Sequence, residues 1–179
     1  MISMLDYEQA IQEFAQTLQN FIDQYELPEK WFKIPDHLAI KCADGLDYEY
    51  VVQELLPDSQ QTSVVKLDNR RLAALHLISP QSVGDLGEVS WLEIMEPRPE
   101  KVGKDFVGLE HIEFYYPDFD EVRETLDIYK VSYTQQNNPG HDWINIVLSA
   151  AGQELKLNSR LLSDVVEREL EEGVSSLVE

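Results

Sequence analysis

Two stretches decide the fold: Asp36-His37-Leu38-Ala39-Ile40-Lys41-Cys42 and Glu110-His111-Ile112-Glu113-Phe114-Tyr115. Each begins acid, histidine, apolar, variable, apolar, and each alternates with a period of two, the mark of a strand with one buried face. Leu38, Ile40 and Cys42 share one side, and His37, Ala39 and Lys41 the other. In the second stretch Ile112 and Phe114 oppose His111, Glu113 and Tyr115. His111 lies 74 positions after His37 (111 − 37), a length that suits one βαβββ unit.

The segments after the two stretches repeat as well. Asp44-Gly45 and Pro117-Asp118 break the strands. Helices are expected over 47–56, through Tyr48, Val51, Val52 and Leu55 up to Pro57, and over 118–128, through Phe119, Val122 and Leu126. Three strands then come in each half, at about 62–67, 71–78 and 88–95, and at about 130–135, 142–149 and 153–158. Asp68-Asn69 reads as a hairpin, Ser79–Gly87 as a loop and Asn137-Asn138-Pro139-Gly140 as a turn. The shared order of elements makes an internal repeat the better explanation of the short match, because repeated units bury their faces against each other.

Working outward, residues 6–25 form an amphipathic pattern, with Tyr7, Ile11, Phe14, Leu18, Phe21, Ile22 and Tyr25 on one face, ended by Pro28. Trp31, Phe32 and Pro35 bridge to the first repeat. Pro97, Pro99, Gly103 and Gly108 mark a linker, and the tail from Ser159 reads as a helix to about Leu170 that frays after Gly173. The expected class is α+β: two βαβββ modules forming a curved mixed sheet around a cleft, with an added N-terminal helix and C-terminal helix. As a single domain it divides into 1–35, the helix and bridge; 36–96, the first module; 97–109, the linker; 110–158, the second module; and 159–179, the helix and tail.

Composition narrows the function. Against 34 acidic residues stand 14 basic ones, for a net charge of −20. Such a chain repels phosphate backbones and anionic lipid, so neither nucleic acid nor a membrane surface is an expected partner. One cysteine, Cys42, excludes an intramolecular disulfide, and its strand parity places it in the core. Met1–Asp6 has no basic leader pattern and no apolar run is long enough to span a bilayer, so a cytoplasmic protein is expected.

Parity also says what faces the cleft. Leu38, Ile40, Leu92, Ile94, Ile112, Phe114, Leu155 and Leu157 belong under the helices. His37, Ala39, Lys41, Trp91, Glu93, Met95, His111, Glu113, Tyr115, Glu154, Lys156 and Asn158 belong on the opposite face. Burying those polar groups is costly unless a metal, a ligand or water satisfies them.

The pattern resembles the vicinal oxygen chelate superfamily, which includes glyoxalases, epimerases and ring-cleaving dioxygenases. More narrowly, from about Asn20 to Val166, the chain resembles the YecM family, through Asp36–Cys42, Glu110-His111-Ile112-Glu113 and Lys156-Leu157 before the last helix. The resemblance implies a metal site of His, His and Glu type, supplied by the first and fourth strands of each module. His37 and His111 match the first-strand ligands. Glu93, within Leu92-Glu93-Ile94, matches the fourth strand of the first module, and Glu96 is its rival if a bulge turns it to the same face. The superfamily's last acidic ligand falls on Lys156, with Glu154 two residues earlier. That departure implies three ligands with open positions, or no metal at all.

Two imidazoles and a carboxylate suit Zn, Ni, Mn or Fe. Glu113 and Tyr115 are the candidate acid and base beside the ion. Asp36 and Glu110, next to the histidines, point away from the cleft by parity and so make poor partners for them. Lys41 and Lys156 are expected to pair with Glu154 or Glu113. Trp91 and Trp143 read as cleft or core walls, and His76 and His141 as ordinary polar residues. Two functions are expected: a metal-dependent isomerase, lyase or oxygenase acting on a small oxygen-rich molecule, or a non-catalytic module that binds a small ligand in the same cleft. Either works as a monomer or a homodimer.

Overall fold

Both histidine stretches become strands at the centre of one sheet. The computed structural model describes residues 4–138 and 141–178. In chain order these form α1 (Met4–Gln24), β1 (Pro35–Lys41), α2 (Gly45–Leu55), β2 (Ser59–Leu67), β3 (Arg70–Ser82), β4 (Glu88–Met95), β5 (Gly108–Tyr115), α3 (Phe119–Tyr129), β6 (Thr134–Asn138), β7 (His141–Val147), β8 (Glu154–Asn158), α4 (Leu162–Glu171) and β9 (Ser175–Leu177). The described strands make an open nine-stranded sheet in the order β6-β7-β8-β5-β1-β4-β3-β2-β9. β1 runs parallel to β4, β5 runs parallel to β8, and β1 and β5 meet antiparallel in the middle. Two βαβββ modules are thus joined through their first strands.

Local chemistry sets the repeat. Asp44 and Asp118 both cap helix N-termini, and they keep the 74-position offset of the histidines (118 − 44). The Asp44 carboxylate accepts from the backbone N–H of Leu46 and Asp47 at 2.9 Å, and Asp118 accepts from Glu121 at 3.1 Å. Each satisfies donors that the first helical turn leaves unpaired. At the β2–β3 hairpin Asp68 and Asn69 take φ of 51° and 60°, the left-handed pair that matches strand twist in a type I′ turn.

The eight apolar residues assigned to the helical side of the sheet all lie in one core with α1, α2 and α3 residues, including Phe14, Leu18, Val52, Val122 and Leu126. Leu38, Ile94, Ile112, Phe114, Leu155 and Leu157 are completely buried.

Three expectations are corrected. The sixth strand starts at Thr134 rather than near 130, because Lys130 takes a left-handed conformation that ends α3. The stretch read as a loop from Ser79 begins within β3, which leaves its partner after His76 and pairs again at Gln81 and Ser82. The tail does not end in a frayed segment at Gly173: β9 returns to pair antiparallel with β2. Pro139 and Gly140 of the expected turn, the His141 side chain and the first residues of Met1–Asp6 lie outside the described residues. No described helix is long and apolar enough to cross a membrane.

Candidate metal centre

Strand pairing assembles the site. The antiparallel β1–β5 register sets His37 opposite Glu113 and Ala39 opposite His111. From the flanks, β4 brings Glu93 beside Ala39 and β8 brings Lys156 beside Glu113. Ala39, small and fully buried, is flanked by Glu93 on one neighbouring strand and His111 on the other. His37 and His111 are 3% and 0% exposed, with ring centroids 5.7 Å apart and edge to face.

One ligand atom from each of His37, His111 and Glu113 lies within 4.8 Å of the others. Glu113 Oε1 is 3.5 Å from His111 Nε2 and 3.8 Å from His37 Nε2. Two atoms bound about 2.1 Å from a tetrahedral ion lie about 3.4 Å apart, so small side-chain shifts suffice. Glu93 Oε2 is 3.8 Å from His111 Nε2, beside the three-residue group.

Both imidazoles are held from behind. Asp36 accepts from His37 Nδ1 at 3.0 Å, and Glu110 accepts from His111 Nδ1 at 3.2 Å. Parity pointed these acids away from the cleft, and that expectation fails for a specific reason. In the β1–β5 pairing, Pro35 and His37 face the adjacent residues Phe114 and Glu113, so Asp36 is an extra residue on β1. Likewise Ala39 and Ile40 face His111 and Leu109, so Glu110 is an extra residue on β5. Each acid sits in a β-bulge, where alternation breaks and a side chain is re-aimed. A carboxylate can only accept, so Nδ1 carries a proton in both rings and Nε2 is the atom that faces the cluster.

The charges are strongly coupled. Burial opposes a positive His37, but the carboxylates of Glu113, Asp36 and Glu93 outweigh it and push the ring up to about 9. Burial and then Lys156 hold His111 below its ordinary value. Lys156 Nζ donates to His111 Nε2 at 3.1 Å and lies 3.6 Å from Glu113 Oε1. Although burial works against ionised Glu113, His37, Lys156 and His111 bring it down to about 2. Such a carboxylate is a poor proton acceptor at neutral pH and a suitable ligand for a cation.

A lid that parity could not place covers this face. The first turn of α4 has no side-chain cap of its own, and Leu162 N–H donates to both oxygens of Asp36, at 3.0 and 3.1 Å. Leu162, Val165, Val166 and Glu169 of α4 wall a cavity of about 150 Å³ whose floor includes His37, Glu93 and Glu113. Glu169, half-buried, has its carboxyl raised by burial and then by Glu93, against the pull of Arg168. Asp36, Glu110 and Glu169 were therefore missed as site residues. The acid preceding histidine in both repeats was the available signal for the first two.

The remaining candidates separate. Glu96 closes on Arg71, accepting from Nε at 3.0 Å, from Nη2 at 3.0 Å and from the backbone N–H at 2.9 Å, and is not part of the histidine cluster. It comes just after the end of β4, where its backbone N–H bonds to Arg71, so no bulge returns it to the cleft. Lys41 pairs with Glu110 and, at 3.2 Å, with Asp105, rather than with Glu154 or Glu113. Asn158 donates to Glu113 and accepts from Arg160 N–H at 3.1 Å. Tyr115 stands at the end of β5, partly buried and outside the three-residue cluster, and Glu154 faces His111 in the β5–β8 register. Trp91 stacks on His76 at 4.6 Å and 9°, while Trp143 is partly buried opposite Asn158. Cys42 is a core thiol pushed up to about 12 by burial.

Two βαβββ modules joined through their first strands, with a histidine from each in one buried cluster, define a vicinal oxygen chelate fold. The chain belongs to the YecM family: the profile described as YecM protein matches residues 4–166. Among solved structures it is similar to structural-genomics protein EC4020, at 16% identity with a TM-score of 0.75, over 93% of this chain and 92% of that one. It is also similar in fold to methylmalonyl-CoA epimerase from Mycobacterium tuberculosis, at 17% identity with a TM-score of 0.50, over 69% of this chain and 85% of that one. No curated protein matches the chain.

Proposed function

We propose that the chain binds one divalent metal ion through His37 Nε2, His111 Nε2 and the Glu113 carboxylate, with Glu93 as a further donor, and uses it on a small oxygen-rich substrate. The observation that carries this reading is His37 Nε2, a buried nitrogen without a hydrogen-bond partner, in a cluster with His111 and Glu113. An unpaired polar atom in a dry interior is costly, and a cation would take up that nitrogen once the ring has released its Nε2 proton. The Nδ1–carboxylate bonds at Asp36 and Glu110 orient the rings as metal-bound histidines are usually oriented. Zn, Ni, Mn and Fe all accept two imidazoles and a carboxylate.

A bound ion would supply Lewis-acid stabilisation of negative charge on a substrate oxygen. The chain's own residues do the rest. Lys156 blocks His111 Nε2 in the metal-free protein, and must leave that nitrogen for the ion to bind. Once moved, its ammonium is free to pair with an anionic oxygen of the substrate. Glu169, with a raised carboxyl on the cavity wall, is the group suited to exchange a proton, aided by its neighbour Glu93. Leu162, Val165 and Val166 shield the cavity from water. These roles fit an isomerase or lyase better than an oxygenase, because they move protons.

One observation favours the second reading, a binding module without chemistry: Lys156 stands where the superfamily resemblance calls for an acidic ligand. Thermal unfolding of chelator-treated protein with added Zn, Ni, Mn or Fe tests the metal, since binding to the folded state must raise Tm. A rise lost in His37→Ala supports the proposal, and no rise with any of the ions contradicts it.

A further inference from the structure

We infer that Asn145 receives the Lys156 ammonium when a metal ion displaces it from His111, so that Lys156 has one acceptor on each side of its strand. The inference rests on the metal centre proposed above and gives a positioning role to a residue outside its ligand set.

Strand order places both acceptors. β8 lies between β5 and β7. On the β5 side, Lys156 Nζ donates to His111 Nε2 at 3.1 Å and lies 3.6 Å from Glu113 Oε1. On the β7 side, the antiparallel register sets Asn145 directly opposite Lys156. Residues paired in this way project from the same face of a sheet, with Cβ atoms about 4.5–5.5 Å apart. The pattern along β7 agrees: Ile144 and Ile146 are completely buried in the core on the helical side, and Asn145 alternates with them. Asn145 Oδ1 is buried without a hydrogen-bond partner. Thr134, which flanks Asn145 from β6, does not bond to that oxygen.

An unpaired buried amide oxygen is costly, and it can only accept. Lysine offers three donors on a flexible four-carbon stem, so rotation of that stem can carry Nζ from one side of β8 to the other while the backbone stays in place. In the metal-free protein the ammonium serves His111 and leaves Asn145 Oδ1 unpaired. An ion on His111 Nε2 takes that acceptor away and repels the ammonium, and Asn145 Oδ1 then satisfies it. Glu154, two residues back on the same strand and face, is the rival acceptor, but it is only partly buried and its carboxylate is within reach of water. A neutral amide also holds the ammonium without cancelling its charge, which leaves Lys156 able to pair with an anionic substrate oxygen.

The test is calorimetric titration of the metal-free chain with Zn, Ni, Mn and Fe in turn, run as a double-mutant cycle. Asn145→Leu removes the acceptor and should weaken metal binding about tenfold, the size of one hydrogen bond to a charged group. In a Lys156→Met background the same substitution should change binding by less than about twofold, because the group it serves is gone. Asn145→Asp, which pairs with the ammonium more strongly, should tighten binding with Lys156 present beyond any gain it gives in Lys156→Met. Should Asn145→Leu not fold, that second variant still reads the coupling. Equal effects in both backgrounds, no effect in either, or a loss produced by Glu154→Gln in place of Asn145→Leu would overturn the assignment while the metal site stands. A wild type that binds none of the four ions would overturn both.

Discussion

Lys156 holds in the second module the place that Glu93 holds in the first. Glu93 faces Ala39 across the parallel β1–β4 pair, and Lys156 faces Glu113 across the parallel β5–β8 pair. Ala39 and Glu113 are themselves equivalent, 74 positions apart (113 − 39). The first module thus sets a carboxylate beside alanine, and the second sets an ammonium beside a carboxylate.

That placement makes Lys156 a competitor for the metal rather than a support. In Lys156→Met the ammonium no longer occupies His111 Nε2 or pairs with Glu113. Divalent-metal affinity, measured by calorimetry on the folded variant, should rise about tenfold or more, equal to about 1.4 kcal/mol. Weaker binding in Lys156→Met would mean that the lysine helps to organise the site.

Metal binding should depend on pH in a defined direction. His37, at about 9 in the metal-free protein, must lose its Nε2 proton before it can bind an ion. Apparent affinity should therefore tighten as pH rises toward about 9 and then level. Titrations in buffers of different ionisation enthalpy should count close to one proton released at neutral pH; none released would remove His37 from the ligand set.

The stability of the metal-free protein should track the same groups. His37 is raised from 6.5 to about 9, so its contribution is complete below 6.5 and lost as pH climbs through that window. His111 is lowered, so it opposes folding increasingly as pH falls below 6.5. Glu110 and Glu113, lowered from 4.5 to about 2, contribute above 4.5 and lose that contribution as pH falls toward 2. Urea denaturation across pH should show maximal stability near 6.5, and a maximum above 8 would contradict these shifts.

Much of this architecture was legible because period-two alternation survives wherever a strand is regular. The core assignment of Leu38, Ile40, Ile112 and Phe114 and the cleft assignment of His37, His111 and Glu93 rest on that rule alone. It failed at Asp36 and Glu110, where bulges insert one extra residue, and parity carries no information across a bulge. It was silent on α4, whose position depends on a long-range bond from Leu162 to Asp36, 126 residues apart. It also could not find β9, a three-residue strand too short to show a period.

Asp36 joins metal centre and lid, and its removal should be felt at both. Asp36→Ala frees His37 Nδ1 and uncaps α4, so metal affinity should fall about 10- to 100-fold. Hydrogen exchange over 162–171 should accelerate together with that loss. Weaker metal binding with unchanged exchange would separate the lid from the centre.

The paired caps offer a simpler check of the repeat. Asp44→Ala and Asp118→Ala should each cost about 1 kcal/mol by urea denaturation, because each removes the acceptor for a helix's first turn. A cost near zero for either would remove that capping bond from the account.

The central claim is that His37 and His111 hold one ion between the two modules. It is tested most directly by elemental analysis of untagged protein purified without chelators, beside a folded His37→Ala/His111→Ala double variant. Near-stoichiometric Zn, Ni, Mn or Fe in the wild type and none in the variant is the expected result. A metal-free wild type that also takes up none of these ions when they are added would contradict the claim.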